Sequence, residues 1–334
     1  MIFNLDVVMK NTTVSLNSNY PEDATVIAGE DVTFKAVITD EGNPKEHSLQ
    51  WYVDGTAIED ATGETYTRST SSDKGVISVW CEVSNKAGTT TSRHATLTVK
   101  KVPMLDASFP ADASVVVHNS ATFAAVAVET GYPDSYTYQW YVDNVAQSGA
   151  TGHNFSYTPT SVGTHEVYCA VTNEAGTVNT RTATLTANRL YLYKAGDECR
   201  DITGGINYAP MVVGSNGSAY PEDTVTKHSD NIYLKCSNQY QASIATANKV
   251  DVSIFSKLCA NLSNYGNSTS NGYKYFGLYN AYNAKTGSVA EAFLANGVIE
   301  LDVSNITGSY YVAIALNSAY GYAAHINVHE IWLE

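Results

Sequence analysis

The residues of this chain that could do chemistry are 8 histidines, 5 cysteines, 33 acidic side chains and 24 tyrosines. Their spacing excludes most of it. His118, His153, His165, His228, His325 and His329 are scattered, and none stands in the pattern of a zinc helix or a nucleophile elbow. His325 and His329 alternate with Ile326 and Val328, which reads as a strand, so they share no helical face as metal ligands. Cys199, Cys236 and Cys259 lack metal-ligand spacing. Two loops are rich in oxygen, Asp40-Glu41-Gly42-Asn43 and Pro221-Glu222-Asp223, but neither fits an EF-hand. They are expected to be solvated turns. No cofactor and no resident metal are expected, with a structural calcium as the minor alternative. No catalytic set emerges, and the chain reads as a non-enzyme.

The tyrosines remain. In Tyr273-Lys274-Tyr275-Phe276-Gly277-Leu278-Tyr279 a strand period puts Phe276 and Leu278 on one face and Tyr273, Tyr275 and Tyr279 on the other. Phe and Leu belong to a core, so the tyrosines are expected to face outward. A flat ring with a hydrogen-bonding tip matches the apolar C–H patches and hydroxyl rim of a sugar. Three readings stay open: a glycan platform, a set of cross-strand pairs that stabilise the sheet, or a contact with another subunit. Tyr320-Gly321-Tyr322 lies in a loop before the last strand and would extend a platform.

The elements that carry these residues begin with a repeat. Gln50-Trp51-Tyr52-Val53-Asp54 and Cys81 return as Gln139-Trp140-Tyr141-Val142-Asp143 and Cys169. The tails Val83-Ser84-Asn85-Lys86-Ala87-Gly88 and Val171-Thr172-Asn173-Glu174-Ala175-Gly176 match, and both copies close on Ala-Thr-Leu-Thr at Ala95 and Ala183. A Trp followed some 30 residues later by Cys resembles the immunoglobulin sandwich, in the form found in bacterial surface proteins and phage structural proteins. The resemblance implies that Trp51, Cys81, Trp140 and Cys169 are core residues. It implies a B-strand partner for each cysteine at Ala36 and Ala125, so the usual bridge is expected to be absent. Val79 and Val167 stand where the tyrosine corner would be, a departure that favours a bacterial or phage variant. The second core is expected to hold Phe123, Ala125, Tyr138, Trp140, Val142, Phe155, Tyr157, Val167, Cys169 and Val171.

Residues 1–11 read as an N-terminal arm, 12–100 and 101–187 as the two sandwiches, and 188–334 as a third domain. In the third, strands are expected near Leu190, Asn231–Lys235, Lys249–Ile254, Gly272–Tyr279, Gly297–Val303, Tyr310–Leu316 and His325–Leu333, with Ser256–Leu262 a short helix or loop. About eight strands with Gly/Asn-rich loops read as a jelly roll. The runs Leu301-Asp302-Val303-Ser304 and Thr307-Gly308-Ser309-Tyr310-Tyr311-Val312-Ala313-Ile314 resemble galactose-binding-like, carbohydrate-binding domains at the ends of phage tail and surface proteins. The fold class is all-β, two immunoglobulin-like sandwiches in tandem and a C-terminal jelly roll.

The net charge of −14 is uneven. Residues 1–187 carry 10 Lys/Arg against 21 Asp/Glu, or −11; residues 188–334 carry 9 against 12, or −3, with 15 of the 24 tyrosines. No basic patch exists, so nucleic acid is not an expected partner. No apolar run is long enough for a membrane helix. The start Met1-Ile2-Phe3-Asn4-Leu5-Asp6 lacks a secretory pattern and Ile331-Trp332-Leu333-Glu334 reads as a strand, so assembly in a reducing cytoplasm is expected. Together these favour a phage virion protein, a head or tail appendage with an acidic spacer and a neutral head. Its expected partners are other virion proteins or copies of itself, and host-surface or mucosal glycans. The alternatives are a fragment of a bacterial surface adhesin, the accessory region of a glycoside hydrolase, and a head that only self-associates.

Overall fold

A computed structural model describes residues 10–195, 206–207, 224–237, 241–246, 249–267, 274–280, 288–317 and 323–334. The described elements are strands, and no described helix is long and apolar enough to cross a membrane. Of the expected site residues, Tyr273, Tyr320 and Tyr322 lie outside the described residues, as do Cys199 and Pro221-Glu222-Asp223.

The backbone falls into two compact units. One is Met1–Asp112, Thr122–Ser156 and Glu166–Thr184; the other is Ala113–Ala121, Tyr157–His165 and Leu185–Glu334. The division runs through the second copy of the repeat rather than beside it.

In the first sandwich Ala24–Ile27, Ala95–Lys100, Gly75–Asn85, Ser48–Val53 and Thr56–Ala57 lie side by side in that order. Opposite them Asp31–Lys35 pairs with Thr65–Ser69, and Ser15–Leu16 with Ile38–Asp40. Ala24–Ile27 runs parallel to Leu97–Lys100, an exception among antiparallel neighbours. Strand alternation fills the core as expected: Val32, Phe34 and Ala36; Leu49, Trp51 and Val53; Val79, Cys81 and Val83; Ala95, Leu97 and Val99 are all buried. Trp51 stands directly opposite Cys81 and its indole N–H donates to the Gly63 carbonyl at 2.9 Å.

The second copy repeats these features. Trp140 faces Cys169 across the sheet, its indole N–H donates to Gly152 at 2.9 Å, and Ala113–Val116 runs parallel to Leu185–Asn188. Its core is narrower than expected. Phe123, Trp140, Val142, Val167, Cys169 and Val171 are buried, but Ala125, Tyr138, Phe155 and Tyr157 are only half-buried. Tyr and Phe at a sandwich rim keep one ring edge toward water, so inward alternation does not bury them fully. None of the described cysteines, Cys81, Cys169, Cys236 and Cys259, is in a disulfide.

Within the first unit, Lys74 and Lys100 of the first repeat meet glutamates of the second, and Lys101 at the joint adds to the contact. Lys74 Nζ pairs with Glu129 at 3.2 Å and donates to the Thr130 carbonyl at 2.9 Å, Lys101 reaches the same carboxylate at 3.5 Å, and Lys100 pairs with Glu174 at 2.8 Å. Asn173 Nδ2 donates to the Lys101 carbonyl at 2.8 Å and fixes the connecting backbone.

The C-terminal sandwich is wired as a jelly roll. Its eight main strands are Ile232–Ser237, Gln241–Thr246, Lys257–Asn267, Lys274–Tyr279, Ser288–Phe293, Gly297–Asp302, Ser309–Asn317 and Ala323–Leu333. One sheet holds the first, eighth, third and sixth in that order; the other holds the second, seventh, fourth and fifth. Thr224–Lys227 and Leu190–Lys194 widen the first sheet, and Ile206–Asn207 and Val250–Asp251 the second. Ser256–Leu262 is neither helix nor loop, because Leu258, Ala260 and Leu262 alternate into the core of a central strand.

Candidate contact face

The second jelly-roll sheet presents the aromatic residues. In Lys274–Tyr279, Phe276 and Leu278 point into the core and are fully buried. Tyr275, Gly277 and Tyr279 share the opposite face, as the alternation requires. Their neighbours across the sheet are Ala315 and Phe293 for Tyr275, Ala313 and Glu291 for Gly277, and Tyr311 for Tyr279.

This face is not a row of three exposed tyrosines. Tyr279 is only 1% exposed and packs with Ala245 and Ala313. The small Ala313 and the glycine beside it leave room for the ring to lie down on the sheet. Burial first, and then the charge of Glu291, pushes the Tyr279 phenol far above its ordinary range. No group among the described residues meets its hydroxyl at full hydrogen-bond geometry, and Glu291 acts on it first through charge and then as a weak acceptor. Gly277 has no alternative, since a Cβ there would run into the Ala290 carbonyl oxygen. Tyr275 is half-buried and leans on Phe293, ring centroids 5.2 Å apart at 39°. Phe293 is 75% exposed, the most exposed large apolar residue described. On the same face Lys249 Nζ lies 5.8 Å from the Tyr311 ring. Phe293 was not singled out from the sequence, because Ser288–Phe293 has the Ala/Glu composition of a helix and no aromatic partner nearby in the chain.

Other aromatics are arranged differently. Tyr52 stacks on Trp80 at 5.5 Å and 8°, and Trp80 on His94 at 4.2 Å and 23°; Tyr141 stacks on Tyr168 at 4.8 Å and 5°. Both faces of the Trp80 ring are occupied by neighbours, leaving no flat surface for a ligand ring. The Tyr275–Phe293 pair is tilted, and Phe293 stays exposed.

Candidate polar chemistry is satisfied internally. The ligand atoms of Cys259, Glu300 and Glu334 lie within 4.8 Å of one another. Glu300 is neutralised by Lys257 at 2.7 Å, and Glu334 by Arg189 at 2.8 Å. Burial, then the charges of Glu334 and Glu300, pushes the Cys259 thiol up to about 11. His329 Nδ1 lies 2.8 Å from the Asp230 carbonyl and must carry the proton, leaving Nε2 to accept from Ser263 Oγ at 2.7 Å. Both bonds tie strands together. Asp40 closes its own turn by accepting from the Gly42 amide at 2.9 Å.

No family model matches the chain. It is 27% identical over 200 residues to the highly immunogenic outer capsid protein of Enterobacteria phage T4, covering 58% of this chain and 53% of that protein. The chain thus spans about half the length of the curated relative it matches. Among solved structures, an I-band fragment of titin is 15% identical with a TM-score of 0.40, covering 95% of this chain and 94% of that one. Immunoglobulin domains of Sidekick-1 are 22% identical with a TM-score of 0.38, covering 55% and 51%.

Proposed function

We propose that this chain is a non-enzymatic surface protein of a phage particle, in which immunoglobulin-like sandwiches act as a spacer and the C-terminal jelly roll makes contact with uncharged host-surface or mucosal glycan. The similarity to a phage outer capsid protein carries the virion part. The contact part rests on the exposed Phe293 with Tyr275 tilted against it, in a region of net charge −3 that follows one of −11 in the sequence. The jelly-roll wiring supports a carbohydrate-binding reading of the galactose-binding kind. Among the described residues Tyr275 and Phe293 form the ring surface, and Tyr279 lies buried on the same face.

A shallow platform excludes little water, so single sites bind weakly, and many copies on one particle raise the apparent affinity by ~10²–10⁴ for a linked pair. The test is binding of the whole chain to neutral polysaccharide and mucin glycans, in low and high salt. Phe293→Ala and Tyr275→Ala should each abolish binding and leave the thermal transition nearly in place, and salt should matter little. Unchanged glycan binding in both variants would sink the platform.

A further inference from the structure

Ser288–Phe293 is the outer strand of its sheet, paired on one side with Lys274–Tyr279 and on the other with nothing among the described residues. An edge strand offers a row of backbone donors and acceptors, and soluble proteins usually guard it with lysine, proline or brevity. Three other edges follow that rule. Thr56–Ala57 and Val145–Ala146 are two residues long, and Gly297–Asp302 carries Glu300 under Lys257 together with Asp302. Ser288–Phe293 is six residues long, has no proline, and bears one charge, Glu291, between the exposed Val289 and Phe293. The exposed Val298 lies on the strand that follows.

A second copy of the chain fits this edge badly. Antiparallel self-pairing that keeps both outer faces on one side sets odd residues against odd residues. Two such registers are equally long, each pairing five of the six residues: the one that joins Val289 to Phe293 sets Glu291 against its own copy, where like charges directly opposite are destabilising, and the other leaves Phe293 unpaired and sets Glu291 against Val289. The same geometry rewards a cation. We propose that this edge takes an extended strand from a different protein, with Lys or Arg facing Glu291 and apolar residues two positions to either side facing Val289 and Phe293. Backbone pairing supplies the attachment and the alternate side chains the selectivity. This inference does not rest on the glycan reading, which needs the ring faces and no charge, whereas strand addition needs the backbone edge and Glu291.

The test is amide hydrogen exchange of the whole chain with a short soluble peptide alternating Thr and Val around a central Lys, and with its Glu-centred twin. The Lys peptide should slow exchange within Ser288–Phe293. Glu291→Lys should weaken that peptide about two- to fivefold, the size of a cross-strand charge pair, and strengthen the Glu-centred one by a similar factor. Glycan binding should be the same in Glu291→Lys and wild type, which separates this idea from the platform. Three results overturn it: no protection of Ser288–Phe293 at any soluble peptide concentration, equal effects of the substitution on both peptides, or concentration-dependent protection of those amides in the protein alone, which would make a second copy the occupant.

Discussion

Replacing Trp51 probes the first sandwich at its centre. The indole is fully buried, stacks on Tyr66 at 5.9 Å, stands against Cys81 and donates to the Gly63 carbonyl. An aromatic side chain of this kind removes ~150–250 Å² from water, worth ~4–6 kcal/mol at ~25 cal/mol per Å². Part of that is recovered when neighbours relax, and measured truncations of core aromatics cost ~3–5 kcal/mol. Trp51→Ala should therefore destabilise its sandwich by ~3–5 kcal/mol. Trp51→Phe separates the ring from its N–H. Gly63 is exposed, so water replaces the lost donor, and the polar share should be about 1 kcal/mol. Urea unfolding followed by far-ultraviolet circular dichroism gives both values, and with Trp80 and Trp332 replaced by Phe throughout, Trp140 fluorescence reports the second repeat in the same samples. A loss below ~1 kcal/mol for Trp51→Ala would mean that the strand phase argued above is wrong.

Four further outcomes are expected. Burial pushes the Cys169 thiol from 9.0 up to about 11, so iodoacetamide at pH 8 should leave it unmodified until denaturant is added. A raised folded-state pKa favours the protonated fold, so the stability contributed by Cys169 and Cys259 is complete below pH 9 and lost as pH rises toward about 11; Cys169→Ala should flatten that part of a melting-temperature profile. On the acid side, the Thr96 amide and then Arg93 lower Asp23, and the Thr184 amide and then Arg181 lower Asp112. Their stabilisation is present above the ordinary carboxylate range and disappears as pH falls through the lowered values, so Asp23→Asn with Asp112→Asn should flatten the acid limb of the same profile. Finally, hydrogen bonding from Lys74 and the charge of Lys101 hold Glu129 low. Spin-label distances between the repeats should broaden in Glu129→Gln, and in wild type when salt screens the exposed pairs; identical distributions would show that the backbone tie at Asn173 suffices.

The sequence made the repeat legible because Trp, Cys and the strand phase are fixed by burial, and burial leaves a period of two. The even face of Lys274–Tyr279 was legible for the same reason. The depth of Tyr279 was not, because it depends on Ala245 and Ala313, small residues that reach it only through the sheet register. Phe293 was hidden in a stretch whose composition reads as helical. Lys257–Asn267 was hidden likewise, since Leu, Ala, Lys and Asn become a strand there only by pairing with Gly297–Asp302 and Ala323–Leu333. Tertiary pairing overrode local propensity at both places.

The parallel ladder in each immunoglobulin-like sandwich has a mechanical consequence. Ala24–Ile27 lies near the entry of the chain and its partner Leu97–Lys100 at the exit, and the two run in the same direction. A pull that separates entry from exit drags these strands past each other along their length. Their paired positions then carry the load together instead of opening one after another like a zipper. Ala113–Val116 and Leu185–Asn188 repeat the arrangement. Tension applied along the chain therefore loads each of these ladders in shear.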